Sequence, residues 1–303
     1  MEYSKGSDLE MVSLESAEEA MNRRGKIAES LIISERPDLI TLFFTYQNEA
    51  IAARKFLDSS LNELNSGAQI LEVGGGILAL AVQLASEGFA VTSVEPVGEG
   101  FTGISFIMRV FMEIAKDENL VFNVIQSHIE DCQFDHKFDF IFSINVMEHL
   151  KNPYPVLHQM VSTLENGGKY RFFCPNYDFP YEPHFGKWLF LRKNKAFYLQ
   201  GSRAKSNAIS LEETLGLHRS LNYITLNKIS KYSHLKRIKI RSERHAFYSL
   251  LERAVYDKGL SARHGMLTSI VKLIYLLKFH HIAKIVPARF QPVMDIEASS
   301  FDS

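Results

Sequence analysis

The sequence is poor in the features that define several large protein classes. Only two cysteines occur among 303 residues, Cys132 and Cys174, which argues against a disulfide scaffold and leaves no cysteine spacing suited to a metal ion. Neither a GxSxG serine motif nor a metal-binding cluster is present, and this disfavours a serine hydrolase or a metalloenzyme. The start of the chain is polar and acidic, unlike a signal peptide. These absences predict a soluble, cytoplasmic protein.

Long uninterrupted apolar runs are also missing. The longest apolar segment, residues 266–286, is interrupted by lysines and histidines, so it should not span a bilayer. We expect it either to pack against this chain or a second copy, or to lie on a membrane surface as a peripheral contact. The oligomeric state stays open.

Charge is distributed unevenly along the chain, although the net charge is only -1. Residues 187–245 contain 14 Lys and Arg against 3 Asp and Glu, a net charge of +11, whereas residues 67–186 contain 6 against 15, a net charge of -9. A local positive field suits an anionic substrate or a nucleic acid. It is equally explained as a solvated surface that faces the acidic half of the chain.

The most informative stretch is residues 69–78, which predicts a strand, a glycine turn and the start of a helix. Ile70, Leu71 and Val73 form a short apolar run, three glycines (74–76) end it, and helical spacing follows over 77–84. This arrangement brings backbone N–H groups and a helix N-terminus close to a ligand. Glycine allows the close approach because it has no side chain and tolerates positive φ. The stretch therefore predicts a cofactor site.

Two cofactors fit this stretch. Gly74-x-Gly76-x-x-Ala79, followed by Glu95 at the end of a second strand, matches the fingerprint of an NAD site in which the acid binds ribose hydroxyls. Glu72 favours the alternative. It ends the first strand, where a carboxylate can pair with a ligand ammonium, and S-adenosylmethionine (SAM) carries both an ammonium and a sulfonium.

The same stretch resembles motif I of the class I SAM-dependent methyltransferases, ExGxGxG, in Glu72, Gly74 and Gly76, with Leu78 in place of the last glycine. Residues 138–149 resemble the family's fourth strand and following loop, and 164–169 its turn into the fifth strand. The family usually has an aspartate for the adenine amino group after the third strand, where His128 stands beside Ser127. An imidazole or hydroxyl can also accept that hydrogen bond. The resemblance implies that SAM is bound by Glu72, Gly74, Gly75, Gly76, Glu95, Pro96, Ser127, His128, Ile129 and Asn145.

Strand-like and helix-like segments alternate from residue 67 to residue 176, which implies right-handed βαβ crossovers and a parallel sheet. We predict strands over 70–73, 91–95, 121–125, 138–144, 169–174, 236–240 and 292–298. We predict helices over 13–28, 39–64, 77–84, 101–116, 156–164, 210–232 and most of 246–286. An antiparallel last strand beside the fifth is implied by the family resemblance. The expected fold is a doubly wound, mostly parallel seven-stranded sheet with an antiparallel last strand, N-terminal helices and a helical C-terminal insertion.

Three parts of the chain have separate expected roles. Residues 1–66 should form a helical cap over one end of the cofactor cleft, residues 67–176 the SAM-binding core, and residues 177–303 the substrate-side loop, helices and last strands of the same domain. Tyr46 is expected either to reach the cofactor or to pack on the sheet. A proline-bounded aromatic loop, 176–186, is a plausible substrate lid because it follows the fifth strand.

Three polar side chains are candidates for removing a proton from the methyl acceptor. His149 follows the fourth strand, while His184 and Glu182 lie in the aromatic loop. Each is also compatible with an ordinary loop hydrogen bond. The favoured function is methyl transfer to an O or N atom of a small-molecule, glycan or lipid-linked acceptor. The alternatives are an RNA methyltransferase that uses segment 187–245, a non-catalytic SAM-binding module and an NAD-dependent oxidoreductase.

Overall fold

The fold is organised around one mixed β-sheet. A computed structural model describes residues 15–96, 102–182, 187–188, 221–243, 247–248, 251, 255 and 272–301. Its strands are β1 Gln69–Val73, β2 Ala90–Val94, β3 Asn123–Ile125, β4 Phe138–Ile144, β5 Leu164–Pro175, β6 Tyr181–Glu182, β7 Lys187–Trp188, β8 Ile238–Glu243 and β9 Val293–Ser300.

Seven of these strands form the main sheet in the order β3-β2-β1-β4-β5-β9-β8, and β6 and β7 form a separate antiparallel pair. The pairs β2–β3, β1–β2, β1–β4 and β4–β5 are parallel. Strand β9 runs antiparallel to both neighbours, β5 and β8. The predicted seven-stranded sheet with an antiparallel last strand beside the fifth is therefore confirmed.

Helices cover both faces of the sheet. They are α1 Ala17–Glu35, α2 Ile40–Leu61, α3 Ala79–Ser86, α4 Thr102–Asp117, α5 Pro153–Ser162 and α6 Leu226–Leu235. Adjacent residues of a strand point to opposite faces. Accordingly, Ile70 is buried in the cluster that includes α1 to α4, and Leu71 is buried in the cluster that includes α5 and α6. This is the doubly wound arrangement expected from the alternating segments.

A buried arginine–aspartate pair fixes helix α2 to the sheet. The Arg171 guanidinium in β5 donates to both carboxylate oxygens of Asp295 in β9, at 3.0 and 2.8 Å, and to the hydroxyls of Ser59 and Ser60 in α2, at 3.2 and 3.0 Å. Its guanidinium also lies 4.0 Å from the centre of the Phe56 ring. A bidentate arginine–carboxylate pair has a restricted geometry, so Arg171 defines where α2 sits on the sheet.

Several predicted boundaries differ from the structure. The turn expected at residues 165–168 lies inside β5, where Phe138 and Phe140 of β4 pair with Leu164 and Lys169. The glycine signal therefore marks a bulge, with φ of 82° at Gly167.

The predicted helix over 210–232 was also too long at its start. Residues 221–225 are not helical, and α6 begins after Thr225, whose hydroxyl accepts from the Lys228 N–H at 3.2 Å. Residues 210–220 lie outside the described residues. In the predicted insertion over 246–286, residues 272–276 are helical and Phe279–Lys284 is a 3-10 helix. Among the helices in the described ranges, none is long and apolar enough to cross a membrane.

Candidate cofactor and active site

The predicted glycine turn follows β1 directly. Gly74 and Gly76 have φ of 85° and 52°, values that glycine adopts without a steric penalty. The N–H groups of Gly74 and Gly75 both point to the Val94 carbonyl at the end of β2, at 2.8 and 3.3 Å. Leu78, which replaces the last glycine of the motif, also adopts the left-handed conformation, with φ of 65°, and its side chain is fully buried. The turn is therefore retained with a leucine at its end.

Two of the glycines are required because other groups occupy the space where a side chain would be. A Cβ atom on Gly74 would lie 2.2 Å from Cγ2 of Val146, in the loop after β4. A Cβ atom on Gly75 would lie 2.1 Å from the Ser93 hydroxyl oxygen of β2. The loops that follow β1 and β4 are thus in direct contact at the carboxyl edge of the sheet.

Glu72 is a buried carboxyl beneath this turn. Its side chain is only 3% exposed, and the Ser93 hydroxyl donates to Oε2 at 2.7 Å. Burial raises the pKa of Glu72 to about 8, the Ser93 hydrogen bond opposes that rise, and the nearby Glu95 carboxylate adds to it. A buried carboxyl of this kind is neutral below its pKa and becomes ionised when a cation approaches it.

Glu95 holds the glycine turn from the other side. It follows β2, and its Oε2 accepts a hydrogen bond from the Gly76 N–H at 2.9 Å. Burial raises the pKa of Glu95, while this hydrogen bond lowers it. Pro96 comes next and is partly exposed. The acid that ends the second strand therefore lies against the glycine turn, as the sequence pattern requires.

Helix α2 forms the opposite wall of a pocket at this edge. Glu72, the three glycines and Asn145 line the pocket on the sheet side, and the α2 side chains that line it are Tyr46, Glu49, Ala50 and Ala53. These positions are three, four and seven residues apart, the spacing of one helix face. Tyr46 thus reaches the site, and its Cδ1 lies 3.3 Å from the position of a Cβ atom on Gly76. Glu49 was not predicted. Its three-residue spacing from Tyr46 places both on one helix face, but only the fold shows that this face lines the pocket.

The family profile described as "Methyltransferase domain" matches residues 34–205, which include the glycine turn, both acids and the α2 wall. The chain belongs to the class I SAM-dependent methyltransferases. SAM is accordingly its cofactor, and the NAD-dependent alternative is not supported.

Similar proteins cover different shares of this methyltransferase. An uncharacterised protein of Mycobacterium tuberculosis is 37% identical over 250 residues, which are 82% of this chain and 84% of the relative. A ubiquinone biosynthesis O-methyltransferase of Rickettsia akari is 30% identical over 100 residues, 33% of this chain and 37% of the relative. Among solved structures, phosphoethanolamine N-methyltransferase 2 of Haemonchus contortus with SAM has a TM-score of 0.48 at 16% identity and matches 84% of this chain and 52% of that chain.

The other predicted cofactor residues lie at the ends of β3 and β4. The Glu95 N–H donates to the Ile125 carbonyl at 3.1 Å, which brings the loop after β3 next to the end of β2. In that loop Ser127 is partly exposed, His128 is exposed and Ile129 is 3% exposed. On the other side of β1, Asn145 lines the pocket. Its φ is 57°, and its N–H donates to the Phe173 carbonyl at 2.8 Å.

The structure describes the predicted proton acceptors to different extents. His149 lies in the loop after β4, its side chain is 26% exposed, and Nε2 is 3.9 Å from Oε1 of the buried Glu148. Glu182 belongs to the short strand β6, but its side chain lies outside the described residues, and so does the whole of His184. Of these three side chains the structure therefore describes that of His149, which lies in the loop whose Val146 contacts Gly74.

Two asparagines that no sequence pattern marks as part of the site hold the loops at this edge. The Asn222 amide donates to the carbonyls of Met147 and Leu150, at 2.7 and 2.8 Å, and so fixes the loop after β4. Asn176, fully buried after β5, donates to the Gln291 carbonyl at 3.0 Å and accepts from the Leu226 N–H at 3.2 Å. Both contacts join residues far apart in sequence, and no local pattern signals them.

The residues present fit SAM. The glycine turn lines a pocket together with α2, and the raised pKa of Glu72 in that pocket fits a carboxyl whose ionised form needs a cationic ligand. Among the described residues, no group of His, Cys, Asp and Glu is arranged to hold a metal ion.

Proposed function

We propose that this methyltransferase transfers the methyl group of SAM to an oxygen or nitrogen atom of a small-molecule, glycan or lipid-linked acceptor. The observation that carries the proposal is the pocket in which the buried Glu72 lies beneath the glycine turn and faces α2. The O-methyltransferase named among the relatives supports a small or lipid-linked acceptor. In this proposal residues 1–66 cap the site, residues 67–176 bind SAM, and residues 177–303 complete the domain on the acceptor side.

The cofactor-binding roles follow from charge and position. Glu72 pairs with the ammonium of the amino acid portion, because it is the buried acid beside Gly74, Gly75 and Gly76. Glu95 accepts from the ribose hydroxyls, and its contact with the Gly76 N–H sets the carboxylate orientation. The adenine end is received by the loop after β3, through Ser127, His128 and Ile129, with Pro96 beside it. Asn145 closes the pocket toward the acceptor.

Methyl transfer is an in-line displacement, so the protein contributes mainly by positioning the acceptor. When bound, SAM supplies an electrophilic methyl group on its sulfonium. A hydroxyl or amine acceptor must also lose a proton, which a nearby imidazole near its usual pKa can take at neutral pH. His149 is supported by its place in the loop that contacts Gly74 through Val146. His184 and Glu182 are supported by their position in the sequence after β5.

Two matched variants separate these candidates. His149→Asn and His184→Asn each keep a hydrogen-bonding side chain but remove the base. Once an acceptor is found with isotope-labelled SAM, loss of the base should lower kcat about a hundredfold or more, while the SAM dissociation constant and Tm stay near those of the unchanged protein. If both variants keep full turnover, Glu182→Gln is the next test, and a base-independent transfer follows if that variant is also active.

Calorimetry tests the cofactor assignment separately from catalysis. We expect SAM and S-adenosylhomocysteine to bind and NAD not to bind. SAM binding without transfer to any small-molecule, glycan or lipid acceptor would favour the non-catalytic module. Transfer to RNA, with binding that weakens steeply with salt, would favour the RNA alternative and segment 187–245.

A further inference from the structure

The segment from residue 272 to residue 290 exposes an unusual number of large apolar side chains. Six of them are 52–79% exposed: Leu273, Leu276, Leu277, Ile282, Ile285 and Phe290. The opposite side of the same segment packs inward, since His280 and Ala283 are 5% and 4% exposed. Exposed apolar groups concentrated in one short segment mark an interaction surface more often than a solvated one. We call this segment the C-terminal patch.

The charge of the C-terminal patch is of one sign. Lys272, Lys278, Lys284 and Arg289 lie among the apolar residues, and the sequence from 272 to 290 contains no Asp or Glu. Lys272, Lys278 and Arg289 are exposed. A surface that combines exposed leucine, isoleucine and phenylalanine with lysine and arginine is complementary to a bilayer interface that contains anionic lipids.

The same charges disfavour a second copy of the chain as the occupant. A two-fold dimer interface brings the same patch of both subunits together, so the lysines of one copy would face those of the other. No acid within the patch would compensate them. The centres of stable protein interfaces are instead depleted of charge, lysine in particular.

The patch is attached to the edge of the sheet where SAM binds. Asn176, next to the carboxyl end of β5, donates its N–H to the Pro292 carbonyl at 2.9 Å and its amide to the Gln291 carbonyl at 3.0 Å. The Gln291 amide in turn donates to the Val286 carbonyl at 2.8 Å. The loop after β4 reaches the same edge, because the Asn145 N–H donates to the Phe173 carbonyl of β5 at 2.8 Å. A membrane bound to the patch would therefore lie near the acceptor side of the pocket.

We propose that the C-terminal patch binds the surface of a membrane containing anionic lipids and so holds the pocket against a lipid-linked acceptor. Membrane binding itself goes beyond the proposed function and requires no methyl transfer. The choice of a lipid-linked acceptor rests on that function. For segment 266–286 the sequence left packing, dimerisation and a peripheral membrane contact open, and residues 266–271 of it lie outside the described residues.

Flotation with vesicles tests the proposal on the full chain. Phosphatidylcholine vesicles containing about one-third phosphatidylglycerol should carry the protein upward, and vesicles of phosphatidylcholine alone should carry at least about tenfold less. Raising the salt concentration should weaken the binding, because the cationic part of the attraction is screened. Leu276→Glu and Ile285→Glu should each lower the partition coefficient about tenfold or more.

Val121→Glu is the matched control, because Val121 is 88% exposed but precedes β3 at the opposite edge of the sheet. It should float like the unchanged protein. All variants should bind SAM with unchanged affinity, which shows that the fold is intact and separates this test from the cofactor test. The proposal is overturned if the unchanged protein fails to float, or if Leu276→Glu floats equally well. A stable dimer that Leu276→Glu dissociates in the absence of vesicles would assign the patch to a second copy instead.

Discussion

The buried Glu72 carboxyl should make the protein less stable as the pH rises. Its pKa is about 8 in the folded protein, against 4.5 for an ordinary glutamate. Between pH 4.5 and about 8 the carboxyl therefore keeps its proton in the folded protein and has lost it in the unfolded chain. The free energy of unfolding is highest below this range and falls as the pH rises toward 8. Each pH unit in this window is equivalent to about 1.4 kcal/mol, so the ionised carboxyl costs the fold on the order of 5 kcal/mol above about pH 8.

Glu72→Gln isolates this effect, since glutamine has the shape of the protonated acid and does not ionise. At about pH 9 the free energy of unfolding should be at least ~2 kcal/mol higher for Glu72→Gln than for the unchanged protein, because entry of water at the pocket recovers part of the full penalty. The difference should shrink toward zero near pH 5 or so, where the carboxyl is protonated. Denaturant unfolding across this pH range measures it.

The same substitution should weaken SAM binding, so stability and affinity should change in opposite directions. An ammonium beside Glu72 favours the ionised carboxylate, so SAM binding below about pH 8 should release a proton. The affinity for SAM should then rise up to about tenfold for each pH unit between pH 6 and 7.5 or so. Calorimetry in buffers of different ionisation enthalpy detects that proton. Glu72→Gln should bind SAM at least about tenfold more weakly and lose the pH dependence.

Glu165→Gln is the control, because Glu165 is exposed and lies near the amino end of β5, whereas the pocket lies at the carboxyl ends of the strands. It should change neither the affinity nor its pH dependence. Full affinity of Glu72→Gln for SAM would refute the pairing of Glu72 with the ammonium. A Glu72→Gln variant no more stable than the unchanged protein at high pH would refute the cost of the buried carboxylate.

Three further predictions concern the residues around the glycine turn. Glu95→Ala should weaken SAM binding about tenfold or more, because it removes charged hydrogen bonds. An unchanged dissociation constant in calorimetry would show that Glu95 does not bind SAM. Gly75→Ala should weaken SAM binding, because the new Cβ atom would lie 2.1 Å from the Ser93 hydroxyl oxygen. Adding Ser93→Ala should restore part of the lost affinity, and strictly additive effects in the double mutant would contradict the contact. Leu78→Ala should destabilise the fold by about 2–5 kcal/mol through lost burial, but Leu78→Gly should be less harmful by about 1 kcal/mol because it relieves the positive φ; denaturant unfolding would contradict this if the order were reversed.

Local patterns were sufficient wherever the structure depends on neighbouring residues. Strand β4 has the predicted bounds, Phe138–Ile144, because a run of apolar residues between polar ones leaves no other register for a buried strand. The glycine turn and its two acids were also recognisable, since strand, turn and following acid occupy fixed distances along the chain. The helix before the first strand was predicted in outline, but Glu49 was missed because its role depends on which face of α2 meets the sheet.

The element boundaries that were predicted wrongly are those set by contacts between residues far apart in the sequence. Residues 165–168 carry a turn signal, but pairing with β4 incorporates them into β5 as a bulge. The start of α6 is fixed by two hydrogen bonds, in which the Thr225 hydroxyl and the side-chain oxygen of Asn176 accept from backbone N–H groups of the first turn. The spacing of apolar residues reveals neither of them. Backbone groups at such junctions must be paired when buried, and the partner is found only in the folded chain.

Periodicity along the chain was enough to predict the class of fold. Residues close together in the sequence carried the resemblance to the methyltransferase family, and that resemblance implied SAM as the cofactor. The tertiary structure alone decided the chemical state of the site. Glu72 is an ordinary acid in the sequence. Its pKa of about 8 arises because burial in the fold excludes water around it and the Glu95 carboxylate adds to the rise, while the Ser93 hydrogen bond opposes it. Likewise, the C-terminal patch became visible only when packing buried His280 and Ala283 and left the neighbouring apolar side chains exposed.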